Sequence, residues 1–220
     1  MAVMPPLAPT LSDGDITIRQ IRLRDARVLE RELRANRHWL RKWEASTPGG
    51  GTVVDARAGI RSLLSNARAG SGLPFVVEYR GEVVGQLNVS QITYGSLSTA
   101  TIGYWVAERV AGRGITPTAV ALATDHCFAS GIHRMEICIR PENAASLRVV
   151  DKLGFRYEGL RRRYIHIDGD WRDHFCFALT AEEVPSGVLR RWREGRAPAD
   201  ASAVPEADRA AAATPLPRGL

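Results

Sequence analysis

No apolar run in this chain approaches the roughly 18 residues that a membrane-spanning helix requires. The opening MAVMPPLAPTLSDGD has neither a basic stretch nor an apolar segment, so no secretory signal is read there. A cytoplasmic location is the expectation. Cysteine is scarce: Cys127, Cys138 and Cys176 are odd in number and widely spaced, which offers neither a disulfide framework nor a CxxC site. Cys127 and Cys138 stand among apolar residues and read as small core residues. The five histidines (38, 126, 133, 166 and 174) form no HExxH or HxH pattern, so no metal is expected. Neither a GxGxxG fingerprint nor a GK[ST] loop is present.

What remains is ordinary globular material. The chain has 220 residues, 45% hydrophobic and 25% charged, enough for one domain with a core that needs no staples. Its net charge is +6 with pI near 9.7. Such a surface favours anionic partners such as nucleotides, RNA or acidic tails, although solubility alone explains it equally well.

Residues 1–14, with Pro5, Pro6, Pro9 and Gly14, read as a flexible lead-in. ITIRQIRL (16–23) alternates like a strand. From Asp25 a helical pattern sets Leu29, Leu33, Leu40 and Trp43 on one face. TPGGG (47–51) breaks it, and a second helix is expected over 54–69. Strands follow at 74–79, 83–92 and 99–107, the first two joined by a tight turn at Arg80-Gly81-Glu82. A helix is expected over 116–130, with Thr116 as N-cap and Pro117 behind it. A strand at 133–140 and a helix at 143–155 ending at Gly154 come next. Strands 161–167 and 170–179 form a hairpin around Asp168-Gly169. Residues 181–195 suit one short helix. Residues 196–220, with nine Ala and four Pro, read as a disordered tail. Strands and helices mix without strict alternation, which implies an α/β or α+β fold on a mixed sheet.

The chemistry concentrates in two stretches. In IGYWVAERVAGRGITP (102–117) a strand runs into Arg109-Val110-Ala111-Gly112-Arg113-Gly114 and then a helix. Glycines let main-chain amides face a concave loop, and the helix head adds partial positive charge, which suits a pyrophosphate. A plain glycine-rich turn explains the same letters without a ligand. In the second stretch Asn143 and Ser146 share a helix face. Their bland reading is an N-cap with a neighbouring serine. From Arg140 to Arg163 there are seven basic and three acidic residues, a run that suits cofactor phosphates, an RNA surface or mere solvation.

Taken together, the RxxGxG loop after Ile102-Gly103-Tyr104-Trp105-Val106, then Asn143-Ala-Ala-Ser146, Lys152-Leu153-Gly154-Phe155, Glu158-Gly159 and Asp168-Gly169-Asp170-Trp171-Arg172-Asp173-His174 resemble the GCN5-related N-acetyltransferases (GNAT), over residues 15–180. The nearer likeness is to the RimJ/RimL-type ribosomal-protein N-terminal acetyltransferases. The resemblance implies a mixed central sheet splayed at an acetyl-CoA site, and direct transfer of acetyl to an amine. It assigns the pyrophosphate to the amides of Arg109, Val110, Ala111, Gly112, Arg113, Gly114 and Ile115. It gives Val106 and Asn143 to the pantetheine arm, and makes Ser146 the proton donor to the leaving thiolate, since Val150 stands where many relatives carry tyrosine. Relatives place a carboxylate base just before the IGYW-like strand or on the late hairpin. Here Thr101 stands at the first position and nothing acidic near Ile165-His166 at the second. Tyr104 and His166 are therefore the side chains considered for carrying the amine's proton away. A site without a strong base favours α-amines, with pKa near 7.7–8.0, over lysine near 10.4. The expected acceptor is a protein N-terminus of the ribosomal alanine or serine type. Small-molecule amines such as antibiotics or polyamines, and a ribosome-associated RNA-binding role, are the alternatives.

Overall fold

The computed structural model describes residues 9–49 and 55–214. Its frame is one eight-stranded sheet, ordered β1-β2-β3-β4-β5-β6-β8-β7. The strands are β1 (Leu11–Asp13), β2 (Ile16–Gln20), β3 (Leu73–Tyr79), β4 (Glu82–Thr93), β5 (Thr99–Val106), β6 (Arg134–Ile139), β7 (Arg156–Ile167) and β8 (Asp170–Thr180). All pairings are antiparallel except β5–β6. The helices are α1 (Ala26–Ala35), α2 (Arg37–Leu40), α3 (Ala56–Arg68), α4 (Ile115–Ala129), α5 (Ala144–Leu153), α6 (Val188–Glu194) and α7 (Glu206–Ala213). This is the mixed α/β architecture expected. Among the described residues no helix is long and apolar enough to cross a membrane.

Strand alternation divides the core. On β3, Phe75 and Val77 join the large cluster that α4 and α5 cover, whereas Val76 turns to a smaller cluster with Leu29 of α1 and Ile60 of α3. α4 is apolar on nearly every side, with Ala119, Val120, Ala121 and Ala123 all buried, because it lies between the sheet and α6. As a strand-to-strand crossover, α4 forces β5 and β6 to run parallel.

Only Thr99–Thr101 of β5 pair with Arg134–Glu136 of β6. Beyond Thr101, β5 continues to Val106 on the β4 side alone. The two strands therefore part, and the sheet opens where the sequence motifs converge.

Four expectations differ from what is found. The lead-in is not featureless: Leu11–Asp13 pair with Ile16–Ile18. Residues 1–8 lie outside the described residues. The helix from Asp25 breaks at Asn36, whose Nδ2 donates to the Glu32 carbonyl at 2.8 Å and whose Oδ1 accepts from the Glu108 amide at 2.8 Å. The helix after the glycine loop starts at Ile115 with Gly114 as N-cap, not Thr116, because a left-handed glycine turns the chain into the helix two residues before Thr116. The tail read as disordered is ordered as far as Thr214: Val204 is buried, and Tyr157 Oη donates to Asp208 Oδ2 at 2.8 Å, docking α7 on β7. Composition missed these specific partners. Residues 215–220 lie outside the described residues.

Candidate active site

Where β5 leaves β6, a groove of about 340 Å³ runs between the end of β5, the glycine loop, the head of α4 and the head of α5. Val106, Val110, Ala111, Gly112, Gly114 and Ile115 line one side. Gly112 (φ +79°) and Gly114 (φ +76°) hold the left-handed conformation that turns the loop. The first turn of α4 has no carbonyl partner within its helix, and no side chain caps it. Its amides are thus available to an anion, with the helix dipole behind them. α6 braces the loop from outside: Trp192 Nε1 donates to Thr118 Oγ1 at 3.1 Å, and its ring lies 3.7 Å from where a Cβ on Gly114 would be. The carboxylate of Asp125 on α4 accepts from the Val188 and Leu189 amides at 2.6 and 3.0 Å, fixing α6 in that place.

Arg109 and Arg113 do not line the groove. The Arg109 guanidinium turns to Glu32 of α1 at 3.2 Å, away from the groove. The basic run past Arg140 is similarly committed. Arg140 pairs with Glu142, Arg156 with Glu158, Arg161 with Glu136 and Arg162 with Asp173. Arg148 and Lys152 line the groove.

On the opposite wall, Asn143 Oδ1 accepts from the Ser146 amide at 3.1 Å, the N-cap of α5. That engages the oxygen and leaves the amide nitrogen for the groove. Ser146 and Tyr104 lie deeper. The Tyr104 hydroxyl is fully enclosed and has no completed hydrogen bond, although Ser146 is beside it. Burial pushes its pKa up to about 12, so it stays protonated at neutral pH. An enclosed hydroxyl without a partner is costly; a thioester or amine arriving there would satisfy it. The orphan hydroxyl and the uncapped, glycine-turned loop together fit acetyl-CoA.

Behind Tyr104 lies an inner cavity of about 320 Å³. It shares Trp43, Tyr104, Asn143 and Ser146 with the groove. Its further walls include Asn88, Cys138, Ile165 and His174. Past Leu33, Glu44 and Gln86 it adjoins an outer cavity of about 650 Å³ bounded by α1, α3 and the β7–β8 turn. His166 belongs to this outer cavity and does not line the inner one. Its Nδ1 lies 2.9 Å from Ser46 Oγ, and the residue is half-buried. Strand alternation explains the separation, since Ile165 and Ile167 face inward and His166 does not.

Two features of the inner cavity escaped sequence reasoning. His174 is buried on β8 and lines the cavity. Cys138 faces Cys176 across β6–β8 with sulfurs 3.0 Å apart, and Glu136 Oε1 is 3.4 Å from Cys138 Sγ. The acidic and thiol atoms of these three could hold a cation, but the Arg161 guanidinium already sits there, 2.8 Å from Glu136 and 3.7 Å from Cys138. Each grouping joins residues far apart in sequence, and no local motif signals it.

Comparisons with known proteins match the fold and most of the chain. The acetyltransferase (GNAT) domain family model matches residues 15–156. Mycobacterium smegmatis RimJ, solved in complex with CoA-disulfide, superposes with a TM-score of 0.78 at 39% identity, covering 87% of this chain and 95% of that one. The ribosomal protein uS5-alanine N-acetyltransferase of Escherichia coli is 28% identical over 193 residues, 84% of this chain and 94% of that protein. The probable N-acetyltransferase YjcK of Bacillus subtilis is 39% identical over 98 residues, which span 44% of this chain and 54% of that protein.

Proposed function

The chain belongs to the GNAT acetyltransferase family and uses acetyl-CoA as its acetyl donor, and we propose that the amine it acetylates is the N-terminal α-amine of a protein, of the ribosomal alanine or serine type. The observation that carries this reading is the succession of cavities. The apolar inner chamber is reached through an outer one of about 650 Å³, room for several residues of an extended peptide and more than a small amine needs. The acceptor side also suits an amine that is partly neutral at pH 7. Glu44, a carboxylate on its wall, is held in an ion pair with Arg37, not free to serve as a base. The name of the Escherichia coli relative supports the same acceptor.

Acetyl-CoA supplies a thioester, whose carbonyl an uncharged amine attacks directly. The Val110 and Ala111 amides already donate to the Ala107 and Glu108 carbonyls at 3.1 and 3.0 Å, so of the amides expected from Arg109 to Ile115 it is those of Gly112, Arg113, Gly114 and Ile115 that receive its diphosphate. The main chain of Val106, free of β6, and the Asn143 side-chain amide bind the pantetheine arm. Ser146, with the protonated Tyr104 hydroxyl beside it, gives a proton to the departing sulfur. His166 loses weight as a proton carrier because it stands in the outer cavity and is engaged by Ser46.

Peptides beginning Ala, Ser, Thr or Met, with polyamines and aminoglycosides as competitors, test the acceptor. Expected is α-amine acetylation located by mass spectrometry, with kcat/KM for Ala or Ser peptides at least about tenfold above any small amine. The reverse ranking overturns the reading.

A further inference from the structure

Neither position at which relatives carry a carboxylate base is acidic here; one is Thr101, and the other, Ile165, is an apolar wall residue of the inner cavity. We propose that His174 takes the proton from the acceptor amine. This rests on the α-amine reading above.

His174 is 3% exposed, and it lines the same cavity as Tyr104 and Ser146. Its Nδ1 lies 3.0 Å from the Arg172 carbonyl. A carbonyl only accepts, so Nδ1 carries the hydrogen and Nε2 keeps its lone pair. The ring is held by an edge-to-face contact with Tyr164 at 5.9 Å. Its orientation and tautomer are thus fixed before any substrate arrives, as proton acceptance in a closed site requires.

The surroundings keep the imidazole neutral. Burial lowers its pKa most; the hydrogen bond to the Arg172 carbonyl opposes this, Arg140 beyond β6 lowers it again, and Glu142 and Asp173 pull slightly upward, the net direction being down. Arg161, opposite His174 on β7, is committed to Glu136. A base of this kind is unprotonated across neutral pH and becomes useless only when acid charges it.

The proton balance closes. The α-ammonium gives one proton to Nε2, and the freed lone pair forms the N–C bond to the thioester carbonyl. The C–S bond breaks, and the sulfur leaves with a proton supplied from the Ser146 side. The attacking nitrogen's second surplus hydrogen goes to solvent, which also discharges the imidazolium and reprotonates Ser146. Products are the amide, a free thiol and one net proton.

The test is the pH dependence of kcat/KM for His174→Asn, whose amide preserves the donation to Arg172, and for His174→Gln as a second packing of the site. The acceptor is whichever amine the wild type prefers. If that is a polyamine, the acceptor reading has failed, and the narrowing that decides on His174 is looked for near that amine's own pKa, above about pH 10, instead of at pH 9. Expected is a fall of about 100-fold at pH 7, narrowing to within about tenfold at pH 9, where the α-amine is neutral unaided. Acetyl-CoA affinity and melting temperature at pH 8 stay at wild-type values. Activity within about threefold of wild type at pH 7 overturns the proposal. So does a loss of the same size at every pH, which marks a structural role.

Discussion

The two halves of this site are made of different material. The anion end of the cofactor groove is built by one stretch, residues 106–117, with the α5 head opposite and the segment Trp39–Trp43 beside it. The inner cavity is side chains from β4, β5, β6, β7 and β8 and the segment around Trp43. Main-chain donors carry no residue identity, so the groove tolerates almost any side chain but depends on φ at two glycines. The cavity has the converse sensitivity, since its backbone is plain strand and its chemistry resides in single side chains. Substitutions should therefore divide cleanly into those that damage cofactor binding and those that damage turnover.

The largest effect expected from that division is on Gly114. At φ +76° an added Cβ meets only Trp192, at an ordinary 3.7 Å, so the penalty is in the backbone. A left-handed residue with a side chain costs about 1–2 kcal/mol, and a β-branched one costs more. Gly114→Val is expected to weaken acetyl-CoA affinity about 10- to 30-fold by calorimetry. Gly103 is the control. It lines the inner cavity, its φ is unremarkable, and a Cβ there meets nothing within 4 Å. Gly103→Ala should leave acetyl-CoA affinity within about twofold and raise the acceptor KM instead. If both substitutions weakened the cofactor equally, the division would collapse.

Ser146 tests the seam, since it lines both spaces. Its amide already caps into Asn143, and that bond survives in Ser146→Ala. Only the hydroxyl is removed. A thiol with pKa near 8.5 leaves tolerably without help, and the Tyr104 hydroxyl remains. Expected is a roughly tenfold fall in kcat at saturating acetyl-CoA, with little change in cofactor affinity. An unchanged kcat would remove Ser146 from the mechanism.

The same contrast explains what could be read from the letters. The groove was legible because its parts are contiguous: a strand, a loop with Gly112 and Gly114, then a helix. Even the misplaced cap at Thr116 was wrong by two residues, within one turn. The α5 head was equally local, with Asn143 capping three residues on. The inner cavity was not legible. His174 meets Tyr164 ten residues earlier and Arg140 farther still, through strand pairings that no short motif encodes. His166, the histidine singled out from the hairpin, differs from the inward-facing positions only by strand parity. α7 was missed for a related reason. An Ala-rich segment looks unable to bury enough apolar surface, yet the Tyr157–Asp208 bond, the Tyr157 amide on the Ala201 carbonyl, Ser202 Oγ on Asp151 and the buried Val204 seat it.

The smallest expected effect concerns acid stability, and it separates the halves once more. Burial lowers the pKa of His174 in the cavity and of His126 near the far end of α4. Unfolded, both titrate near 6.5. Below that pH the unfolded chain binds protons that the folded one refuses, so their contribution to stability is whole above about 6.5 and declines as pH falls. A second decline comes later: Arg134, and then Arg156, hold the Glu158 carboxyl down at about 2, so that ion-pair contribution is lost between the unfolded carboxylate value near 4.3 and about 2. Melting temperature followed from pH 8 to pH 3 should therefore fall in two stages. His174→Asn should shrink the first stage without altering the second, and without touching cofactor affinity at pH 8. A first stage of undiminished size in that variant would mean that folding does not lower the His174 pKa, so that burial does not hold the imidazole uncharged below about pH 6.5.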